Sequence, residues 1–408
     1  MKKEYDIVIV GGGMVGASLA VALKDSGLSI AIIEAFSWKG KQQPSFDDRS
    51  IALSYGSKKI LEGMSIWSEL KSQCQPIKTI HVSDRGYFGA TRLYHEEEQV
   101  EALGYVIENR VMGEVLQKQL SQLSHVDVIM PAMVTKVNES SEKVSLIINQ
   151  DDTETEISTS LLVAADGAMS KVRSMVGIAH RKSDYQQSAI IANISAEKYH
   201  QSVAYERFTD SGPLAFLPMT DDENDNSRIS VVWTVNRDDE ADIMALDDNE
   251  FLKKLQQRFG YRLGRLQKTG VRNVYPLSLT ESEQLIKDRV VVIGNAAHGL
   301  HPVSGQGFNL AIRDVAVLAE HIQTSGVEYP SRWLHEYAAI REKDMKRVFR
   351  LTDSLVKIFS NNFMPLAHAR AAGLMMVDYL PSMRHMLAKQ SMGMVGKMSR
   401  LMRGLSLR

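Results

Sequence analysis

The chain has 408 residues, 44% of them hydrophobic and 24% charged, with a net charge of −1 and one cysteine, Cys74. That length is too great for one simple core and implies about two or three lobes, while the charge balance gives no general pull toward nucleic acid. A lone cysteine excludes both a disulfide framework and paired-thiol redox chemistry, and it points to a reducing compartment.

No apolar run is long enough to span a bilayer. The chain enters its first strand within a few residues and leaves no room for a signal peptide, so the bacterial cytoplasm is the expected location. Tyr5 to Val10 is a β-rich apolar run bounded by glycine, the pattern of a buried parallel strand. Met14 to Lys24 reads as a helix ending near Gly27, and Ser29 to Glu34 as a second buried strand, so residues 5–34 make one strand–helix–strand unit. Helical stretches are predicted around 55–73 and 109–123. Val126 to Ile129, Ala132 to Val137 and Val144 to Ile148 have strand patterns, and Leu161 to Asp166 is another buried strand ending in a turn. Residues 187–275 read as mixed strands, clearest at Leu214 to Met219 and Val231 to Trp233, with a helix near 248–258. Val290 to Gly294 returns to the buried-strand pattern, a long helix runs from Phe308 to about Gln323, and helices dominate thereafter.

These elements predict an α/β protein. A Rossmann-like nucleotide-binding lobe is built from residues 1–80, 109–186 and 276–345. A second lobe with a mixed β-sheet is inserted as 81–108 and 187–275, and 346–408 form a helical tail. The cleft between the lobes is the natural ligand site. The tail differs from the rest: from Leu355 onward it holds eight Lys/Arg against one acid, Asp378, and nine methionines fall between Met364 and Met402.

Gly11, Gly13 and Gly16 fit G-x-G-x-x-G directly after a strand and, with Met14 and Val15, open a helix. Glycine permits the tight turn and the close approach of a pyrophosphate, to which the helix N-terminus offers N–H groups and partial positive charge. Glu34 ends the second strand, 18 residues after Gly16, where an acid can accept from ribose hydroxyls. The pattern predicts dinucleotide binding without choosing FAD over NAD.

Two later motifs make that choice through a resemblance. Asp166-Gly167-Ala168-Met169-Ser170-Lys171-Val172-Arg173 resembles the D-G-x-x-S-x-x-R motif of single-component flavoprotein aromatic hydroxylases. Gly294-Asn295-Ala296-Ala297-His298, followed by His301-Pro302 and Gly305-Gln306-Gly307-Phe308-Asn309, resembles their G-D-A-A-H…P…G-Q-G-x-N element. Asp48-Arg49-Ser50-Ile51-Ala52-Leu53, Arg110 and Tyr337…Arg341…Asp344 also match, so the resemblance spans about residues 4–345. His81-Val82-Ser83-Asp84-Arg85-Gly86 and Asn295 in place of Asp resemble the ubiquinone-biosynthesis branch, in particular the 2-octaprenyl-6-methoxyphenol hydroxylases (UbiH-like).

The resemblance implies a para-hydroxybenzoate-hydroxylase-like fold, bound FAD, NADPH or NADH as a transient reductant, and O₂ as co-substrate. It implies hydroxylation of a prenylated phenol to the 1,4-benzoquinol through a flavin C4a-hydroperoxide. Arg49, Arg110, Val134, Asp166, Gly167, Gly294, Asn295, Pro302, Gly305, Gln306, Gly307, Phe308 and Asn309 join Gly11 to Gly16 and Glu34 in the implied cofactor set. The Gly305 loop would set a helix N-terminus against the flavin's pyrimidine end, where negative charge develops on reduction. Asn295 can bond a hydroxyl or phosphate oxygen but brings no charge. His298 and His301 are weak candidates for acid–base work, since a histidine beside a cofactor loop is more often a packed group. No metal-ligand cluster stands out. A polyprenyl substrate would give the basic, methionine-rich tail a role at a membrane surface or in a biosynthetic protein complex; packing on its own domain is the alternative. Other readings are hydroxylation at another ring position, a related aromatic hydroxylase, a polyprenyl reductase, or a scaffold that holds FAD without catalysis. A halogenase would need W-x-W-x-I-P, which none of the four tryptophans supplies.

Overall fold

The computed structural model describes residues 3–38, 49–221, 227–299, 305–359 and 364–407. His301 and Pro302 lie outside the described residues.

One sheet is built around five parallel strands in the order Val290–Val292, Thr153–Ala164, Lys3–Val10, Ile30–Ile33 and Val126–Ile129. The strand pairings Val10↔Ala164, Val10↔Ile33, Ala164↔Val292 and Ile33↔Ile129 align their carboxyl ends. Lys3–Val10, Ile30–Ile33, Val290–Val292 and the second half of Thr153–Ala164 are buried on both faces, which is why they read as continuous apolar runs. Lys3–Val10 is central, with its sequence neighbour Ile30–Ile33 on one side and Thr153–Ala164 on the other. The crevice beyond its carboxyl end is therefore a topological switch point, where open α/β sheets bind ligands. On one face the helices Met14–Ala22, Asn109–Ser121 and Gln306–Ser325 pack into a core with Ile7, Ile9, Ile32 and Val163. The other face carries Val8, Val10, Leu162 and Val292, packed with Leu146, Val172 and Phe349.

A second sheet holds Thr79–Asp84, Ala90–Tyr94, His180–Ala196, Val203–Thr209, Gly212–Pro218, Ser227–Asn236 and Asn273–Ser282. Its pairing runs across the boundaries expected at 187 and 276, because His180–Ala196 and Asn273–Ser282 are single long strands paired from His180↔Ser282 to Ile191↔Asn273. One face packs the helix Asp248–Phe259 through Ile190, Phe216, Val231 and Trp233. The opposite face meets the first lobe, where Ala204, Met219 and Leu217 pack with Ile77, Val106 and Ala52.

The tail packs on its own protein. Helix Met364–Tyr379 lies along the edge strands of the second sheet. Thr91 Oγ1 donates to Leu374 O at 2.7 Å, Arg92 N donates to Asp378 Oδ1 at 2.7 Å, and Arg370 pairs with buried Asp84 at 3.1 Å. After helix Pro381–Ser391 the chain returns to the first lobe, where Gly56 N donates to Met392 O and Leu401 and Met402 enter its core. No described helix is long and apolar enough to cross a membrane.

Candidate active site

Four loops converge at the carboxyl ends of the parallel strands. The first, Gly11–Gly16, holds two glycines that could not be otherwise. Gly11 has φ +103°, and a Cβ there would lie 2.4 Å from Ala165 O. A Cβ on Gly16 would lie 1.9 Å from Gly11 O, so only glycine lets the helix start sit on the strand end. Gly13 is the N-cap, without a side chain to cap it, and Met14 and Val15 begin the helix. Buried Glu34 accepts from Gly12 N at 2.6 Å and from Phe36 N at 2.8 Å, which fixes its carboxylate beside the loop.

The second loop follows Ala164. Asp166 Oδ2 accepts from Val172 N at 3.2 Å, while its Oδ1 is buried without a hydrogen-bond partner among the described residues. Gly167 (φ +84°) has open space where a Cβ would be. Ser170 caps the short helix Lys171–Met175, accepting from Arg173 N. The buried Arg173 then clamps two loops together: it donates to Ala168 O at 3.1 Å and to Ala296 O at 2.6 Å. In the third loop, Gly294 has φ +59° and sits against Val15, and Asn295 is exposed. The fourth opens Gln306–Ser325 from Gly305 in the left-handed region (φ +58°), with nothing near a Cβ on Gly307 and with Phe308 packed toward the core. Asn309 is fully engaged: it donates to Ala52 O and Gly305 O and accepts from Ser54 N and Ser57 Oγ, all within 2.8 Å. Its side chain thus positions the loop rather than reaching into the crevice.

Beneath these loops lies a buried ionic network. Asp314 accepts from Gly294 N at 2.9 Å and Arg341 Nε at 2.7 Å, and its Oδ2 is 2.7 Å from His298 Nε2. Asp344 takes Arg341 at 2.7 Å and Arg313 at 2.9 Å. Burial raises the Asp314 pKa, but His298, Arg341 and the Gly294 N–H outweigh it and hold the carboxyl at about 2. His298, wholly buried and tied to Asp314, is a structural group that anchors its loop. Asp314 and Arg313 were not anticipated from the sequence, although adjacent charges inside the apolar stretch Leu310 to Ala319 were an available signal. Arg341 and Asp344 were matched by resemblance without a role.

Arg49 and Arg110 lie on the side of the second lobe. The Arg49 guanidinium is 4.7 Å from the centre of the Tyr275 ring. Arg110 is half exposed and pairs with Glu114 at 2.8 Å and Glu108 at 3.3 Å. It borders a cavity of about 220 Å³ between the lobes, with Val106 and Glu108 on one side and Met219, Thr220 and Arg228 on the other. Val134 is buried in the core behind the sheet.

These features fit FAD: a helix start that a Cβ would block, an orphaned Asp166 oxygen, an exposed Asn295 amide, and two glycines with open space. Comparisons with known proteins agree. A family model described as "FAD binding domain" matches residues 4–352. A "Ubiquinone hydroxylase UbiL" from Rhodospirillum rubrum is 34% identical, covering 99% of this chain and 94% of that protein. The chain belongs to this family of FAD-dependent hydroxylases. An Escherichia coli "3-demethoxyubiquinol 3-hydroxylase" is 28% identical over 95% of the chain and 98% of its own length. The crystal structure of p-nitrophenol 4-monooxygenase PnpA from Pseudomonas putida shares the fold, with a TM-score of 0.80 at 16% identity, covering 96% of this chain and 99% of that one. The protein is thus a flavoprotein monooxygenase of the aromatic-hydroxylase type with FAD as its cofactor; NAD(P)H and O₂ are the family's other reactants.

In such a hydroxylase the motif Asp166 to Arg173 is first a structural clamp. Arg173→Met is expected to weaken FAD binding by about tenfold, since two hydrogen bonds from a charged donor to the cofactor loops are lost. Equilibrium dialysis of FAD against the two proteins measures this.

Proposed function

We propose that this hydroxylase acts on the ring of a prenylated phenol in ubiquinone biosynthesis, converting 2-octaprenyl-6-methoxyphenol to the 1,4-benzoquinol. The support is the floor that the second sheet presents to the cofactor loops. Cross-strand pairing sets Val82, Glu206, Ala215, Val232 and Ile191 in one row. The row lies on the face that meets the first lobe, the face of Tyr275 under Arg49. Val232 and Ile191, adjacent in the row, are only half-buried, so apolar surface remains on that side of Glu206 for a ring and the start of an isoprenoid chain.

FAD, when bound, supplies the activated oxygen that becomes the ring hydroxyl. The loops Gly11–Gly16, Asp166–Gly167 and Gly294–Asn295 would hold its pyrophosphate and ribityl ends, and the helix start at Gly305–Gly307 would receive its ring system. The apolar side chains of the row, Val232 and Ile191 above all, would orient the phenol and keep water from the reacting centre. Strains lacking the gene should accumulate prenylated methoxyphenol, read by quinone-intermediate profiling. Accumulation of a demethoxy or another later intermediate would move the reaction to another ring position. That second reading is favoured by the similarity to the 3-demethoxyubiquinol 3-hydroxylase.

Such a substrate resides in lipid, and the tail offers a face toward it. Met375, Met376, Tyr379, Leu380 and Met386 are exposed, as is Phe88 in the loop before Ala90–Tyr94. The tail's eight Lys/Arg against one acid would complement an anionic bilayer. Met376→Glu should reduce flotation of the FAD-loaded protein with phosphatidylglycerol vesicles and leave its melting temperature unchanged; equal flotation of both proteins would remove the membrane from this reading. Deletion of residues 385–408 is the poorer test, because it strips Leu401 and Met402 from the core.

A further inference from the structure

The row of Val82, Glu206, Ala215, Val232 and Ile191 has one charged member, and the apolar surface beside it does not explain a carboxylate there. Alternation along Val203–Thr209 separates two sets of side chains. Tyr205 packs on the side of the helix Asp248–Phe259, with Phe216 as its cross-strand neighbour. Ala204 and Glu206 therefore point to the opposite face, and Ala204 packs there in one cluster with Leu217 and Ala52. Ala52 belongs to the cofactor side: its Cβ lies 3.3 Å from where a Cβ on Gly305 would be, and its carbonyl accepts from Asn309 at 2.8 Å. Glu206 stands two residues along the strand from Ala204, about 7 Å on the same face, and is half-buried.

The neighbours of Glu206 leave room for a ring. Ala215 is directly opposite, with only a methyl group, and Val232 is the next residue across. Two strand spacings separate Glu206 from Val232, about 10 Å, which is enough for one aromatic ring lying over Ala215 with its hydroxyl toward the carboxylate. Asp84 is the other acid on this part of the face, in the row of Phe208. It is buried and held by Arg370 of the tail helix at 3.1 Å, so it is already engaged.

We propose that Glu206 is a catalytic residue of the hydroxylation, a general base whose carboxylate accepts the phenolic proton; this rests on the phenol reading above. The oxidant is the activated oxygen that FAD supplies. As a ring carbon forms its bond to that oxygen, electron density leaves the ring and the hydroxyl becomes a stronger acid. Its O–H bond breaks, the electron pair flows into the ring, and the proton goes to a Glu206 oxygen. In the resting complex the same carboxylate accepts a hydrogen bond from the phenol and so sets which way the ring faces.

The test compares the FAD-loaded parent with Glu206→Gln, using a short-chain prenylated methoxyphenol and its O-methyl ether, which keeps the ring but has no proton to donate. Equilibrium dialysis without reductant should show the parent favouring the phenol over the ether by about tenfold, the value of a charged hydrogen bond, and the variant losing most of that preference. A side chain that only shapes the floor would change both affinities alike. In turnover, kcat of Glu206→Gln should fall by about 100-fold, more than KM rises, and Glu206→Asp, which keeps a carboxylate, should recover part of both effects. An equal preference in parent and Glu206→Gln, or an unchanged kcat, overturns the role of Glu206 alone. A parent that neither binds the phenol nor oxidises the nicotinamide faster in its presence overturns the phenol reading, and Glu206 with it.

Discussion

Asp314→Asn is expected to cost about 3–5 kcal/mol of stability, the scale for breaking a buried ion pair by removing one partner, and to yield protein depleted of FAD. The reason is geometric as well as electrostatic. One carboxylate receives Gly294 N and Arg341 and meets His298, all within 2.9 Å. An amide has one acceptor oxygen and would turn its NH₂ toward groups that themselves donate. Arg341 would keep Asp344, but Asp344 also serves Arg313, so one buried positive charge would be left over. The Gly294 loop would then lose its anchor. Urea unfolding and flavin absorbance of the purified protein measure the two effects. Tyr337→Phe is the internal contrast: its buried hydroxyl makes no hydrogen bond among the described residues, so removing it should cost less than about 1 kcal/mol. A similar loss in both variants would show that any change in this region unfolds the lobe, and that Asp314 has no special place in it.

Gly16→Ala is the second large effect. The added methyl would meet the Gly11 carbonyl oxygen at 1.9 Å, and because that atom is backbone, no rotamer change relieves the clash. The first helix must move off the strand end, which removes the N–H cradle for a pyrophosphate. Overpacking of about 1–3 kcal/mol converts to about 5- to 150-fold weaker FAD binding even when the fold survives. Gly307→Ala separates binding from folding, since nothing lies within 4 Å of the new methyl. Its melting temperature without FAD should match the parent, while its FAD affinity falls because the methyl enters the space given to the flavin. Parent-like affinity in Gly307→Ala would place the flavin away from that helix start.

Acid sensitivity gives a further check. His81 is pushed down to about 4 in the folded chain, so the unfolded chain binds its proton first. The stability this group permits is complete above the unfolded value near 6.5 and is lost as pH falls from there through about 4. His81→Gln should flatten that limb of a stability–pH curve measured by urea unfolding.

The nucleotide-binding half was legible because its strands are buried on both faces. Continuous runs such as Ile7 to Val10 and Val290 to Val292 leave no other reading, and the glycines at 11 and 16 carry steric demands that a sequence displays directly. The second sheet was less legible. His180–Ala196 begins with seven residues that are mostly exposed and polar, so no alternation marked its start, and only pairing with Asn273–Ser282 reveals it. The support beneath the site was hidden for a different reason. Asp314 stands beside Arg313 in an otherwise apolar stretch of helix, and its partners come from Gly294, His298 and Arg341, residues whose approach the linear chain does not show. The tail's charge and methionine content were plain, but that Arg370, Asp378 and Met402 pack inward while Met376 and Tyr379 face out follows only from the fold.

Ring hydroxylation by a flavin enzyme couples nicotinamide oxidation to the phenol and puts one atom of O₂ on its ring. The most direct measurement supplies the FAD-loaded protein with NADPH or NADH, a short-chain prenylated methoxyphenol and ¹⁸O₂, and follows the product by mass spectrometry. Nicotinamide oxidation stimulated by the phenol and one ¹⁸O atom on the ring of the product are expected. Nicotinamide oxidation indifferent to the phenol, or a product without the label, would contradict ring hydroxylation.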